Sequence, residues 1–165
     1  MFELKTLSSE AIPAALERAT RYRLLNEPAE AESICLDVLR ADPENQQALV
    51  ILLLALTDRF SKRYGVSDIQ AQEVLARLRS EYERAYYAGI LLERRAKAHL
   101  HLNGPGSGFS AFELFREAMT WFEKAEKLRP PGNDEALLRW NTCARIITRN
   151  KLGPGPQENL PLPLE

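Results

Sequence analysis

The chain has 165 residues, of which 45% are hydrophobic and 27% charged, the ordinary composition of a soluble globular protein with one core. Its 22 basic and 23 acidic residues leave a formal net charge of −1, so no overall field favours nucleic acid or an anionic membrane. The longest apolar run, residues 48–56, is far shorter than the roughly 20 residues that cross a bilayer, and we expect no membrane insertion. Residues 1–10 lack a basic and an apolar region in succession, so we expect no signal peptide.

Seven helices and no strand are predicted, because apolar residues recur every three or four positions between residues 7 and 150. In chain order the helices cover residues 10–25, 28–41 and 45–60, then begin at Ser67, Ser80 and Ser110, and the last covers 134–149. The third helix is apolar on nearly all sides, so we expect neighbouring helices to cover it on both flanks. The fold class is therefore predicted to be all-α.

Three capping boxes indicate the starts of the fourth, fifth and sixth helices. In each, a serine is followed three residues later by Glu or Gln, so that side chains and backbone amides can satisfy one another: Ser67, Ser80 and Ser110. The box at Ser80 divides residues 68–102, which otherwise read as one long helix. A polar connection at residues 59–66, closed by Gly65, is predicted before the fourth helix.

We assign residues 8–150 to one helical domain and residues 151–165 to a proline-rich tail, which proline excludes from helix. In the tail, residues 160–164 alternate leucine and proline, a pattern typical of polyproline helix that could dock on the domain or on a partner. The glycine loop at residues 104–108 lacks the Lys and Ser/Thr that follow a phosphate-binding loop, and it reads as a turn.

A sequence pattern that recurs along the chain is typical of a helical repeat. It consists of small residues at helical spacing followed by a proline turn. The residues that carry it are Ala19, Tyr22, Ala31, Cys35, Val38 and Pro43, and again Ala118, Phe122, Ala125 and Pro130. This pattern resembles the tetratricopeptide repeat of about 34 residues. The middle unit departs from it, because Leu53 stands where the family has a small residue and no proline closes the unit. The resemblance implies a solenoid of three antiparallel helix pairs and a capping helix.

No constellation of catalytic or metal-ligating residues is evident, and we expect no cofactor. His99 and His101 lie about 200° apart around a helix and cannot hold one metal together. Cys35 and Cys143 lie far apart within helical patterns, which predicts free core thiols in a reducing compartment, and the cytoplasm is the expected location. The aromatic residues at helical spacing are expected to be mainly core.

The resemblance also implies a concave groove lined by the first helix of each pair. The residues expected to face it and contact a partner are Leu16, Thr20, Arg23, Gln47, Val50, Leu54, Asp58, Tyr86, Glu93, Arg94 and Lys97. Leu16 and Thr20 occupy positions where chaperone-binding members of the family clamp a terminal carboxylate, and these two side chains cannot do so.

The function expected from this pattern is a non-catalytic adaptor that binds a helix or extended segment of another protein in the groove. The alternative is a structural or accessory subunit of a homo- or hetero-oligomeric assembly. A closed pocket holding two or more titratable groups would instead indicate an enzyme or a small-ligand sensor.

Overall fold

The computed structural model of the chain describes residues 1–156, apart from the side chains of residues 62–67, and these residues form seven α-helices. In chain order the helices are α1 Ile12–Leu24, α2 Pro28–Ala41, α3 Gln46–Thr57, α4 Phe60–Ala76, α5 Glu81–Leu102, α6 Ser107–Leu128 and α7 Glu135–Arg149. A short 3-10 turn, Ser9–Ala11, precedes α1, and no strand occurs in the part of the chain described. The predicted all-α class and the number of helices are confirmed. The leucine–proline stretch at residues 160–164 lies outside the described residues.

Local chemistry explains several helix ends. The side chain of Asn45 accepts a hydrogen bond from the amide of Ala48 at 2.9 Å and caps α3. Ser80 accepts from the amide of Glu83 at 3.2 Å and caps α5, as its capping box predicts. Asn103 ends α5 in the left-handed region, with φ of 47°, which is a conformation that asparagine tolerates better than most residues.

Each helix packs against the next one in the chain, and α5 and α6 form the most extensive of these pairs. Contacts also join α1 to α3 and α5 to α7. The small residues of the recurring sequence pattern lie at the helix contacts: Ala19, Ala31, Ala118 and Ala125 are fully buried. Such residues let neighbouring helix axes approach closely.

Two clusters of buried side chains hold the array together. The first is formed mainly by α1 to α4 and contains Cys35, Leu53 and Phe60. The second is formed by α5 to α7 and contains Phe115 and Phe122. Burying such side chains supplies the main favourable free energy of folding, at about 1.5–3 kcal/mol each.

Two of the predicted helix starts are wrong. α4 begins at Phe60 and continues through residues 61–67, so the polar connection at residues 59–66 and the start at Ser67 are replaced by helix. Phe60 is 3% exposed in the first cluster, and this burial favours a helix that begins there despite the local polar composition. α6 begins at Ser107 and not at Ser110, because Gly106, with φ of 75°, makes the preceding turn.

Candidate functional site

A shared carboxylate joins α1, α3 and α5 on one side of the array. Asp58, directly after α3, accepts from Nε of Arg23 at 2.8 Å through Oδ2 and from Nη2 of the same residue at 3.3 Å through Oδ1. Nη1 of Arg94 on α5 also donates to Oδ1. The three side chains, named the Asp58 triad below, are only 18–25% exposed, so solvent screens their interaction less than at an open surface.

The position of Asp58 is unfavourable in isolation, because a negative charge at a helix C-terminus opposes the helix dipole by about 0.3–1 kcal/mol. Arg23 and Arg94 offset this cost, since each brings a positive charge and directional donors to the carboxylate. The carboxylate in turn holds together two guanidinium groups that would otherwise repel one another. The triad is therefore a preorganised pair of arginines around one anion.

A second group of charges joins α5 to α7. Glu93 is 1% exposed, and its Oε1 accepts from Nζ of Lys97 at 2.6 Å and from Nη1 of Arg139 at 3.3 Å. Its Oε2 is buried and has no hydrogen-bond partner among the described residues. Burial lowers the pKa of Arg139, but the charge of Glu93 and the hydrogen bond with Tyr86 together leave that pKa raised. Glu93, Lys97 and Arg139 are named the Glu93 cluster below.

Tyr86 is a member of the second core cluster and contacts the Glu93 cluster through Arg139. Burial raises the pKa of its hydroxyl, although the hydrogen bond and charge of Arg139 act in the opposite direction. The ring stacks against Tyr82 at 5.9 Å between centroids and meets Tyr87 edge-on at 5.0 Å. Tyr86 is thus part of the packing that positions Arg139.

An open depression lies where α1, the end of α3 and α5 meet, with a cavity volume of about 400 Å³. Its walls include Arg23, Thr57, Asp58, Arg94, Lys97 and His101. Lys97 belongs to the Glu93 cluster as well, so the depression and the buried Glu93 lie next to one another on α5. The depression has a polar wall and a small apolar floor formed by Phe60 and Ala98.

The structure divides the predicted groove residues into three sets. Arg23, Asp58, Arg94 and Lys97 come together around the depression. Three residues, Leu16, Tyr86 and Glu93, are buried, and their side chains serve packing or ion pairing. The remaining four are Thr20 and Gln47, which are exposed, and Val50 and Leu54, which are half-buried against the first core cluster.

Two residues of the depression and the Glu93 cluster, His101 and Arg139, were not among the predicted groove residues. Arg139 on α7 donates to Glu93, which lies 46 positions earlier. No local pattern signals a contact over such a separation. His101 lies one helical turn beyond Lys97 and follows from the same periodicity, so the spacing of α5 could have identified it.

A second open groove lies between α4, α5 and α6. Ala85, Ala88 and Leu92 form part of its floor, and Trp121 stands in its wall. The Nζ atom of Lys124 lies 5.0 Å from the Trp121 ring centroid, within the range of a cation–π contact. The groove is thus mainly apolar with a charged rim.

The described residues hold no group of three or more His, Cys, Asp or Glu side chains placed to bind a metal ion. Within the same residues, no helix is both long and apolar enough to cross a membrane. Both cysteines are buried and free, as predicted, and burial raises the pKa of each thiol to about 12. No significant match to this chain was found among protein-family models, curated proteins or solved structures.

Proposed function

We propose that the chain is a non-catalytic adaptor that binds a segment of another protein at the depression between α1, α3 and α5. The observation that carries this proposal is the convergence of side chains from α1, the end of α3 and α5 on one open site: Arg23, Asp58, Arg94 and Lys97. Open sites with several fixed donors and a small apolar floor suit an extended or helical segment. The preorganised side chains lose little rotamer freedom when a ligand arrives, which favours binding.

The fold proposed for this function is a tetratricopeptide-like solenoid. Three features support it: the sequential packing of the helices, the contacts of α1 with α3 and of α5 with α7, and the burial of the small residues of the recurring sequence pattern. In such an array the odd-numbered helices line one side, which is where the depression lies. We propose the cytoplasm as the location, because Cys35 and Cys143 are free thiols.

Site-specific photo-crosslinking tests the adaptor proposal. Asn26 and Ser61 are exposed residues that line the depression, while Lys127 is an exposed residue of α6 and serves as the matched control. A photo-reactive phenylalanine at each position is irradiated in native lysate, and the adducts are identified by mass spectrometry. The expected result is a shared partner at positions 26 and 61 that is missing at position 127. Equal labelling at all three positions, or labelling at 127 alone, would contradict the proposed site.

An alternative function is an accessory subunit of a larger assembly, and the groove between α4, α5 and α6 favours it. An apolar floor beside Trp121 is the kind of surface that a permanent partner covers. Light scattering on the purified chain and on Ala88→Glu, which places a charge on that floor, addresses it. A stable dimer that becomes monomeric in the variant supports self-assembly, and a monomer in both cases opposes it.

A further inference from the structure

We propose that the partner segment is acidic, with one internal carboxylate held by Arg23 and Arg94 and a second held by Lys97. This inference rests on the proposed function and names the chemistry of the segment bound at the same depression. Four observations support it: the local balance of charge, the donors that remain for a ligand, the spacing of the cations and the size of the site.

The local charge is positive although the chain as a whole is not. The Asp58 triad and the Glu93 cluster together contain four cationic side chains and two carboxylates: Arg23, Arg94, Lys97 and Arg139 against Asp58 and Glu93. This excess of positive charge stands on a chain with a formal net charge of −1. A ligand that contributes carboxylates therefore complements the site.

The arginines retain donors for such a ligand. A guanidinium carries five N–H groups, and the carboxylate of Asp58 satisfies only part of this capacity. The hydrogen bonds to Asp58 use Nε and Nη2 of Arg23 and Nη1 of Arg94. The other terminal nitrogens of both residues are left for an incoming carboxylate, which a guanidinium binds in a planar, bidentate geometry.

The spacing of the cations favours a segment with two acidic side chains. Lys97 follows Arg94 by three residues on α5, so the two lie on adjoining turns of one helix. Its Nζ atom is held by Glu93 at 2.6 Å, yet the side chain is 40% exposed and keeps donors toward solvent. Phe60 and Ala98 offer apolar contact at the floor of the same depression. A short acidic segment that also carries an apolar side chain matches this arrangement.

A nucleic acid is the less favoured polyanion. Its affinity comes from a stripe of cations that follows a phosphate backbone over several nucleotides. Here three of the cations line a depression of about 400 Å³. The carboxylates of Asp58 and Glu93 are ion-paired with them. Both features suit a few carboxylate side chains better than a continuous phosphate chain.

Selection from a random 12-residue peptide library on the immobilised full chain tests the inference. The expected outcome is enrichment of Asp and Glu over the unselected library, lost when Arg94→Gln is the bait and kept with Arg79→Gln. Arg79 is a suitable control because its ion pair with Glu44 is well exposed and neither residue lines the depression. Enriched peptides that are neutral or basic, yet crosslink at position 26 or 61, would overturn this inference and leave the adaptor function standing. Failure to enrich any peptide would count against both.

Fluorescence anisotropy with one enriched peptide then measures the contribution of each cation. Arg94→Gln is expected to weaken binding by between about tenfold and a hundredfold, the effect of losing a charge-assisted hydrogen bond. Since that variant also disturbs Asp58, Lys97→Gln provides a second test with a more exposed side chain, and thermal melting confirms folding of both. A 12-nucleotide single-stranded DNA that competes more strongly than the peptide would overturn the assignment to protein.

Discussion

Gly89 on α5 faces Phe122 on α6 so closely that a Cβ atom at Gly89 would lie 2.5 Å from Cε1 of the phenylalanine ring. Phe122 is fully buried, so its ring has no free space into which to move. A hydrogen atom in place of a methyl group is thus what lets α5 and α6 form the most extensive helix pair of the molecule.

Replacing Gly89 by alanine is expected to lower the free energy of unfolding by about 1–3 kcal/mol, the usual cost of overpacking a core. The sign is diagnostic, because the same change in an open helix interior normally stabilises by about 1 kcal/mol. Urea unfolding followed by circular dichroism measures it. Gly108→Ala in α6 is the matched control, since the nearest atom to its added methyl group lies at 3.8 Å and no loss is expected. A Gly89→Ala protein as stable as the parent would contradict the close packing.

The change Glu93→Ala is expected to lower the free energy of unfolding by about 2 kcal/mol, because it leaves Lys97 and Arg139 without their shared carboxylate. The cost stays below the roughly 3–5 kcal/mol of a wholly buried pair, since both cations are more than one third exposed and regain water. Glu17→Ala is the control, as its pair with Arg21 spans 3.8 Å and the Glu17 side chain is 78% exposed. Chemical denaturation at low and high salt should show a clear loss for the first variant and a change within about 0.5 kcal/mol for the second.

The variants Ser80→Ala and Ser110→Ala are expected to change the free energy of unfolding differently. Ser80 caps α5 by accepting from the Glu83 amide, and losing such a cap costs about 1 kcal/mol. Ser110 lies inside α6 and is exposed, so alanine there is neutral or slightly stabilising through its higher helix propensity. Thermal melts of both variants provide the measurement. Equal losses would indicate that α6 begins at Ser110 after all.

The two thiols are expected to be inert in the folded protein. Burial raises the pKa of Cys35 and Cys143 from 9.0 to about 12, against the opposing charge of nearby cations. A raised pKa keeps the thiols neutral when folded, so this contribution to stability is complete below pH 9 and is lost as the pH rises toward 12. A thiol-specific chromophoric reagent at pH 8 should react slowly in buffer and rapidly in urea.

The urea midpoint should correspondingly fall between pH 9 and pH 11. A variant with Cys35→Ala and Cys143→Ala should show a shallower fall, although its stability at pH 7 is lower. Part of the decline is expected to remain, because burial also raises the pKa of Tyr87. Rapid reaction of either native thiol at pH 8 would contradict its burial.

Local chemistry predicted much of the helix plan. The bounds of α2 agree with prediction at both ends, and the serine at position 80 marks the start of α5 because its cap acts within four residues. The start of α4 depends instead on burial of Phe60 against residues distant in sequence, which no local pattern reveals. Ser110 also satisfies the pattern of a capping box, yet the backbone turn at Gly106 begins the helix earlier.

The residues of the candidate site were predictable only in part. The resemblance to the tetratricopeptide repeat implied that Arg23, Asp58 and Arg94 face one side, and these are the members of the triad. It implied the same for Leu16 and Tyr86, whose side chains are buried in the core. The depth of a residue depends on which neighbouring helix lies over it, and this is a property of the assembled array.

α5 contributes side chains to both core clusters. Leu91 and Ala98 belong to the first, while Ala85, Ile90 and Ala96 belong to the second. This helix of 22 residues is therefore a wall common to both interiors. Neither half of the molecule can lose its order without exposing one flank of α5, so its central amides should be the slowest to exchange with deuterated water. Fraying would begin at the opposite ends of the array, in α1 and α7, and proceed toward this shared helix.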